Sequence, residues 1–445
     1  MAEIRPFRAL YYSPSRIPEL WKVVTQPYDK ISPEMQSRYY RSSPFNLAHV
    51  ILGQPHADDN LRDNVYLRAG RYFRQWIEDG ILVSESEPAI YPYDQEYEVP
   101  GRPGSKKLRH GFIAVCRLED YSQRIIHPHE ETLSAPKTDR LELLKVTRAH
   151  FGQIFVLYTD PAGLVESLLA EHAREKPWEQ VSDEYQTLHS VWRITKPQAI
   201  RRVAAAMADK KLVIADGHHR YETALAYRDY CRNRGISDSR TEHVMMTFVR
   251  METDGLTILP THRLVHSLPA FHWAEFLSQA RSIFEAEEFP VQSDEGDWAN
   301  RFLESLARAG GKRPAFGADA GAGKLALLRL RGDFDLDRAL NDLPPTLRQL
   351  DVILLHRLVL ERILGIDRRA VREEKNLAYF REFTAAAGAV ARGEAQLCLL
   401  LNPTPVDAVR DNALAGLTLP QKSTDFYPKL LSGLAIYWLD NPAGV

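Results

Sequence analysis

Apolar and polar positions follow two different periods along the chain, and the change from one to the other marks out its elements. From Asn64 onward, Tyr66, Tyr72, Phe73, Trp76 and Ile77 fall at helical spacing, and Gly80 supplies the stop. Upstream, Ser32 followed by Pro33 has the form of an N-cap with proline at the first helical position, which predicts a short helix in an otherwise turn-rich segment. "PAIYPYDQEYEV" and "RHGFIAVCRLEDY" read as paired strands around the polar turn "PGRPGSKK". The middle of the chain then alternates. "RLELLKVTRAHF", "LVESLLAEHAREK" and "AIRRVAAAMAD" are helical, "QIFVLYTD", "KLVIAD" and "HVMMTFVRM" are apolar strands, and a helix follows "KLVIAD". Between Phe271 and Asp333 the pattern predicts two amphipathic helices and the strands "PAFGAD" and "KLALLRLRG". "TLRQLDVILLHRLVLERILGI" predicts one long core helix, and the tail returns to strand, helix and loop. Strand, helix and strand in succession make the fold class α/β, in the sense of a mixed α+β protein. The segments expected are 1–109, rich in Tyr and Pro, a core at 110–268, a small α+β insert at 269–340, and a C-terminal α/β segment at 341–445 returning to the core.

Composition narrows the functional classes. A formal charge of -2 over 445 residues argues against a nucleic-acid coat or an acidic-membrane binder. Cys116, Cys231 and Cys398 are far apart and form no CxxC pair, so neither a disulfide framework nor a thiolate zinc site is expected. The start of the chain carries charge and proline where a secretory apolar stretch would lie, and no long apolar run follows. The expectation is a cytoplasmic protein with no membrane and no nucleic-acid partner; the oligomeric state is left open.

Chemistry concentrates at four places. In "LVIADGHHRYETALAYR" a strand runs into Asp216, Gly217, His218, His219 and Arg220 just before a helix, where backbone N–H groups and the macrodipole favour phosphate. Asp216 is suited to capping the helix, holding Mg²⁺ or orienting a histidine. "RIIHPHEETLSAPKTDRLELL" groups His127, His129, Glu130 and Glu131, and a carboxylate beside imidazoles suits proton abstraction from a hydroxyl. "TLPQKSTDFYPKLLSGL" offers Gln421, Lys422, Ser423, Thr424 and Lys429 as phosphate or carboxylate donors, and "TILPTHRLV" adds His262 and Arg263. "GADAGAGKL" is a decoy. It has five residues between Gly317 and Gly323, and Leu325 stands where a Walker A loop needs Ser or Thr, so it reads as a hairpin turn.

"ADGHHRYETA" resembles the signature of the ParB/sulfiredoxin superfamily, and "HPHEET" resembles the short motif ahead of it in the free serine kinases of that superfamily. "QPYDKIS", "HPHEETLSAPKTDRLELLKVTRAHF", "LTILPTHRLV" and "LPQKSTDFYPKLLSGL" resemble a bacterial family of long uncharacterised proteins with that core. The resemblance implies a ParB/sulfiredoxin-like core with additional N- and C-terminal α+β segments. It also implies phosphoryl transfer from ATP or ADP, with Mg²⁺, to the hydroxyl of free L-serine. Glu130 matches the kinases' base, with Glu131 its one-residue alternative; Asp216 to Arg220 match their nucleotide-phosphate motif. For the serine carboxylate, residue type nominates Arg148, Lys422 and Lys429. His218 stands where sulfiredoxins have their cysteine, so that activity is not expected. Two alternatives compete: a metal-dependent hydrolase with His127, His129, His218 and His219 as ligands and Glu130 activating water, and a ParB-like nucleotide switch.

Overall fold

The expected hairpin forms: Tyr91–Glu98 pairs antiparallel with Lys106–Arg117 through eight consecutive registered residues, from Tyr91 on Ile113 to Glu98 on Lys106. It lies inside a nine-stranded sheet. Beyond Lys106–Arg117 come His243–Arg250, antiparallel, then Ile154–Tyr158, parallel to it. Leu212–Asp216 follows antiparallel, and the short Ile126–His127 closes that edge. On the other side Leu188–Val191 and Glu179–Ser182 extend the sheet, and Ile4–Arg5 pairs with the end of Lys106–Arg117. Every residue of Ile154–Tyr158 is buried, as are His243 to Val249. These strands are covered on both faces, which explains why they read as continuous apolar runs without alternation.

The computed structural model describes residues 1–131, 135–173, 176–290 and 298–441, so parts of the "HPHEET" and "LVESLLAEHAREK" stretches lie outside the described residues. The protein is mixed α+β, as the pattern predicts. It divides into two compact units: Met1–Pro128, Thr132–Thr257 and Pro428–Val445 form one, and His129–Glu131 with Ile258–Tyr427 the other.

In the first unit one core joins sheet residues such as Val156, Ile214 and Phe248 to Val203 and Met207 of the Pro197–Met207 helix and Tyr221 and Ala224 of the His218–Asn233 helix. A second core gathers Phe73 and Trp76 of the Val65–Glu78 helix, Leu143 of the Ala135–Thr147 helix, and Ile436. The Ser32 cap and the Gly80 stop are those expected, and the structure adds a cap at Asn64. The Ser32 hydroxyl accepts from the Met35 N–H at 3.2 Å at the head of Pro33–Ser42. Asn64 accepts from the Tyr66 and Leu67 N–H groups, both at 3.1 Å, and Gly80 with φ 67° ends the helix region.

The second unit holds a six-stranded sheet ordered Phe284–Glu288, Leu325–Leu330, Ala315–Asp319, Leu397–Leu401, His262–Val265, Leu377–Phe380. All its pairings are antiparallel. The Walker-like stretch is a hairpin turn, with the Ala320 N–H bonded to the Lys324 carbonyl at 2.9 Å. Gly317 lies in the strand before it, where a Cβ would come 2.5 Å from the Phe302 ring. The single helix expected over "TLRQLDVILLHRLVLERILGI" does not form. Pro345–Arg348 ends, Leu350 is extended (ψ 128°), and Asp351–Leu354 restarts the helix and passes into a π-helical stretch, Leu355–Glu361. Asp351 is drawn elsewhere: its carboxylate accepts from the Ala315 N–H and the Asn402 amide, both at 3.3 Å, and a buried acceptor with tertiary partners outweighs helical continuity.

Candidate functional site

The Leu212–Asp216 strand reaches its last residue through a bulge. Ile214 stands opposite Val156 and Asp216 opposite Phe155, leaving Ala215 as the extra residue. A bulge re-aims the side chain that follows it. Gly217 then takes φ 93°, a conformation open to glycine, and a Cβ there would lie 3.0 Å from Arg220 Nε. The helix His218–Asn233 begins at a glycine that offers no side-chain cap, and its first turn holds no acidic residue.

Asp216 is the hub of this junction. Lys429 Nζ donates to its Oδ1 at 3.0 Å, and Arg220, one helical turn on, donates to its Oδ2. Arg220 also donates to the Gln153 carbonyl, and the Gln153 side-chain oxygen accepts from the Thr247 hydroxyl. Burial opposes charge on Asp216, but Lys429, Arg220 and Lys30 outweigh it and hold the carboxyl well below the usual carboxylate range. One carboxylate thus orients several cations at an uncapped helix start, which suits a polyphosphate. Tyr28 belongs to the same surroundings: burial raises its phenol to about 12, Asp29 adds to that, and Arg220 and Arg140 oppose it. His218 is buried at the first helical position, and His219 is half-buried.

Asp216, expected from the sequence as a possible Mg²⁺ ligand, is engaged here by cationic side chains. Both carboxylate oxygens are bonded to cationic side chains, and a divalent ion there would face Lys429 and Arg220 directly. Within this unit His127, His218 and His219 form no group with metal-ligating atoms together. His127 Nε2 lies 3.0 Å from the Arg124 carbonyl, which makes that nitrogen a donor. The metal-compatible group among the described residues is the exposed His56, Asp58 and Asp59, and Asp59 is paired with Arg68.

In the second unit Glu130 is held by Thr424, whose backbone N–H and hydroxyl donate to its Oε1 at 2.8 and 2.9 Å. His129 Nε2 lies 2.7 Å from the same hydroxyl. A hydroxyl has one proton, so with that proton on Glu130 the His129 Nε2 must carry its own and donate. The backbone is fixed as well. The Leu419 N–H donates to the His129 carbonyl at 2.8 Å, and the Glu131 N–H to the Leu419 carbonyl at 3.1 Å; Glu131 itself is exposed.

Arg263, His262, Ser423 and Arg148 have structural partners. Arg263 is fully buried, donates to the Thr261 and Lys422 carbonyls, and lies over the Tyr379 ring; burial lowers it to about 10, with Tyr379 and Glu130 opposing. His262 accepts from the Leu401 N–H at 3.3 Å, and burial followed by Arg263 lowers it to about 4. Lys422 occupies φ 58°, and Ser423 is buried with its hydroxyl on the Pro420 carbonyl. In the first unit Arg148 is bonded to Asp440, Tyr227 and Asp238. Sequence reasoning passed over Lys30, Tyr28 and Gln153. "QPYDKIS" carries a family likeness, but its Tyr and Lys offer no motif chemistry of their own, and a glutamine acting partly through its main-chain carbonyl leaves no signal in a sequence.

Comparison with solved structures finds a free serine kinase in complex with AMP, at 13% identity and TM-score 0.35, over 70% of this chain and 89% of that one. A conserved hypothetical protein from Pyrococcus furiosus is similar at 10% identity and TM-score 0.34, over 71% and 93%. SbnI from Staphylococcus aureus, truncated at its C-terminus, is similar at 10% and 0.34, over 72% and 85%. No curated protein matches the sequence. A family profile described as "Protein of unknown function (DUF1015)" matches residues 4–353, and the chain belongs to that family.

Proposed function

We propose that this protein is a small-molecule phosphotransferase that moves a phosphoryl group from ATP or ADP to the hydroxyl of free L-serine. The observation that carries the reading is the Asp216 cradle, where Arg220 and Lys429 are fixed on one carboxylate beside an uncapped helix start. Phosphoryl transfer asks little covalent work of a protein and depends on aligned positive charge around the moving group. In this reading Arg220, Lys429, His218 and His219 hold the nucleotide phosphates, and Asp216 sets the geometry of the cations. The serine oxygen gains the bond to phosphorus, the bond from phosphorus to the donor's bridging oxygen breaks, and Glu130 takes the serine proton. Thr424 and His129 orient that carboxylate; Glu131 is the alternative base.

The test is incubation of the protein with Mg²⁺, ATP or ADP and a panel of free hydroxyl amino acids, followed by phosphorus NMR. Phosphoserine is expected, with turnover lost by about a hundredfold or more in Glu130→Gln while nucleotide still binds. Nucleotide bound with no acceptor phosphorylated would replace this reading with a nucleotide switch. Absence of both binding and transfer would overturn it outright.

A further inference from the structure

The Asp216 cradle depends on where Lys429 stands, and Lys429 belongs to a short segment whose main chain is bonded to buried side chains. Arg109 donates to the Pro428 carbonyl at 2.6 Å, and Gln95 Nε2 donates to the Lys429 carbonyl at 2.9 Å. The Leu431 carbonyl accepts from Gln153 Nε2 at 3.3 Å, and Gln95 Nε2 also lies 3.3 Å from His189 Nδ1. Gln95 and Arg109 are themselves joined, since Gln95 Oε1 accepts from Arg109 Nε at 3.0 Å.

Behind them the chain of bonds continues. Tyr93 OH lies 2.6 Å from His189 Nδ1, and His189 Nε2 lies 3.4 Å from Asp183 Oδ2. Burial lowers His189 from its ordinary value although Asp183 opposes it, which favours the neutral ring. A neutral ring that accepts the Tyr93 proton at Nδ1 must donate from Nε2, toward Asp183. Asp183 is fixed in turn by Gln26 at 3.0 Å and by the N–H groups of Tyr185 and Thr187, both at 2.9 Å. All the donors and acceptors in the run are thereby given one direction.

Arg109 is 1% exposed and lies 4.7 Å from the centre of the Phe155 ring, opposite which Asp216 is registered in the sheet. Burying a guanidinium costs several kcal/mol, and an apolar residue would fill the same space without that cost. Its bonds give it a different use, because a guanidinium reaches a carboxamide and a carbonyl together in a fixed fork.

We infer that Arg109, acting with Gln95, is a positioning residue that mounts Lys429 on Asp216 and so sets that lysine's contact with the phosphates of a bound nucleotide. The inference rests on the nucleotide reading above. The experiment is calorimetric titration of the full chain with ADP and with AMP, for wild type and Arg109→Met, beside a thermal melt. Wild type is expected to prefer ADP, and Arg109→Met to lower ADP affinity by tenfold or more with AMP affinity little changed, so that the preference collapses. Arg109→Lys, which keeps the charge and loses the fork, should recover part of it. Where Arg109→Met does not fold, Gln95→Leu tests the same mount through the Lys429 carbonyl, with a smaller loss of the same preference. An unchanged ADP to AMP ratio in a folded variant overturns the inference and leaves the nucleotide reading standing. Failure of wild type to bind either nucleotide overturns both.

Discussion

At the scale of residues, the two nominated chemistries are held by different means, and their responses should differ. Asp216 has its pKa depressed by neighbouring cations that outweigh burial, so its contribution to stability is complete above its unfolded pKa of about 3.9 and is lost as pH falls from there toward the folded value. Asp216→Asn should therefore be less stable than wild type at neutral pH and lose less stability on acidification below about pH 4, a comparison made by denaturant unfolding across pH 2 to 7. Equal acid sensitivity of the two proteins would contradict the assigned role. Glu130 accepts from the Thr424 hydroxyl, which also meets His129. Thr424→Val keeps the backbone donor and removes that hydroxyl, and a hydrogen bond to a charged group is worth about 1.5–3 kcal/mol. Serine phosphorylation should fall roughly tenfold to a hundredfold with nucleotide affinity unchanged, as steady-state rates and calorimetry would register.

At the scale of elements, the decisive joint is the bulge, glycine and helix start between Ile214 and His218. Gly217→Ala places a Cβ where φ is 93° and where Arg220 Nε is 3.0 Å away. The backbone cost is about 1 kcal/mol or more, and the displaced guanidinium should weaken nucleotide binding beyond what the lost stability explains; a melt and a titration on the same sample separate the two. An ordinary cap offers a contrast. Ser32→Ala should cost about 1 kcal/mol through loss of the bond from the Met35 N–H, with nucleotide affinity untouched. Both elements were legible in the chain, because Ser-Pro and Asp-Gly are local signals. The broken helix after Leu350 was not, because its cause is the tertiary engagement of Asp351 with Ala315 and Asn402.

At the scale of the whole molecule, the nine-stranded sheet should dominate hydrogen exchange. The slowest amides are expected in His243–Arg250 and Lys106–Arg117, which have strands on both sides, and faster ones in the two-residue edge strand Ile126–His127. Uniform protection across the sheet would argue against this order. The chain passes between its two units four times, at Pro128 to His129, Glu131 to Thr132, Thr257 to Ile258 and Tyr427 to Pro428. No local pattern announces such crossings. The sequence alone determined the mixed α+β class, the alternation of helices and buried strands, the Ser32 cap and the residues of the strand-to-helix junction, because period, caps and turn residues act over a few positions. Only the tertiary structure decided that Lys429 would stand on Asp216, that Thr424 would hold Glu130, and that Arg148 and Arg263 would have structural partners. Those pairings join residues from distant parts of the chain, and they are set by which backbone carbonyls and carboxylates burial leaves needing a donor.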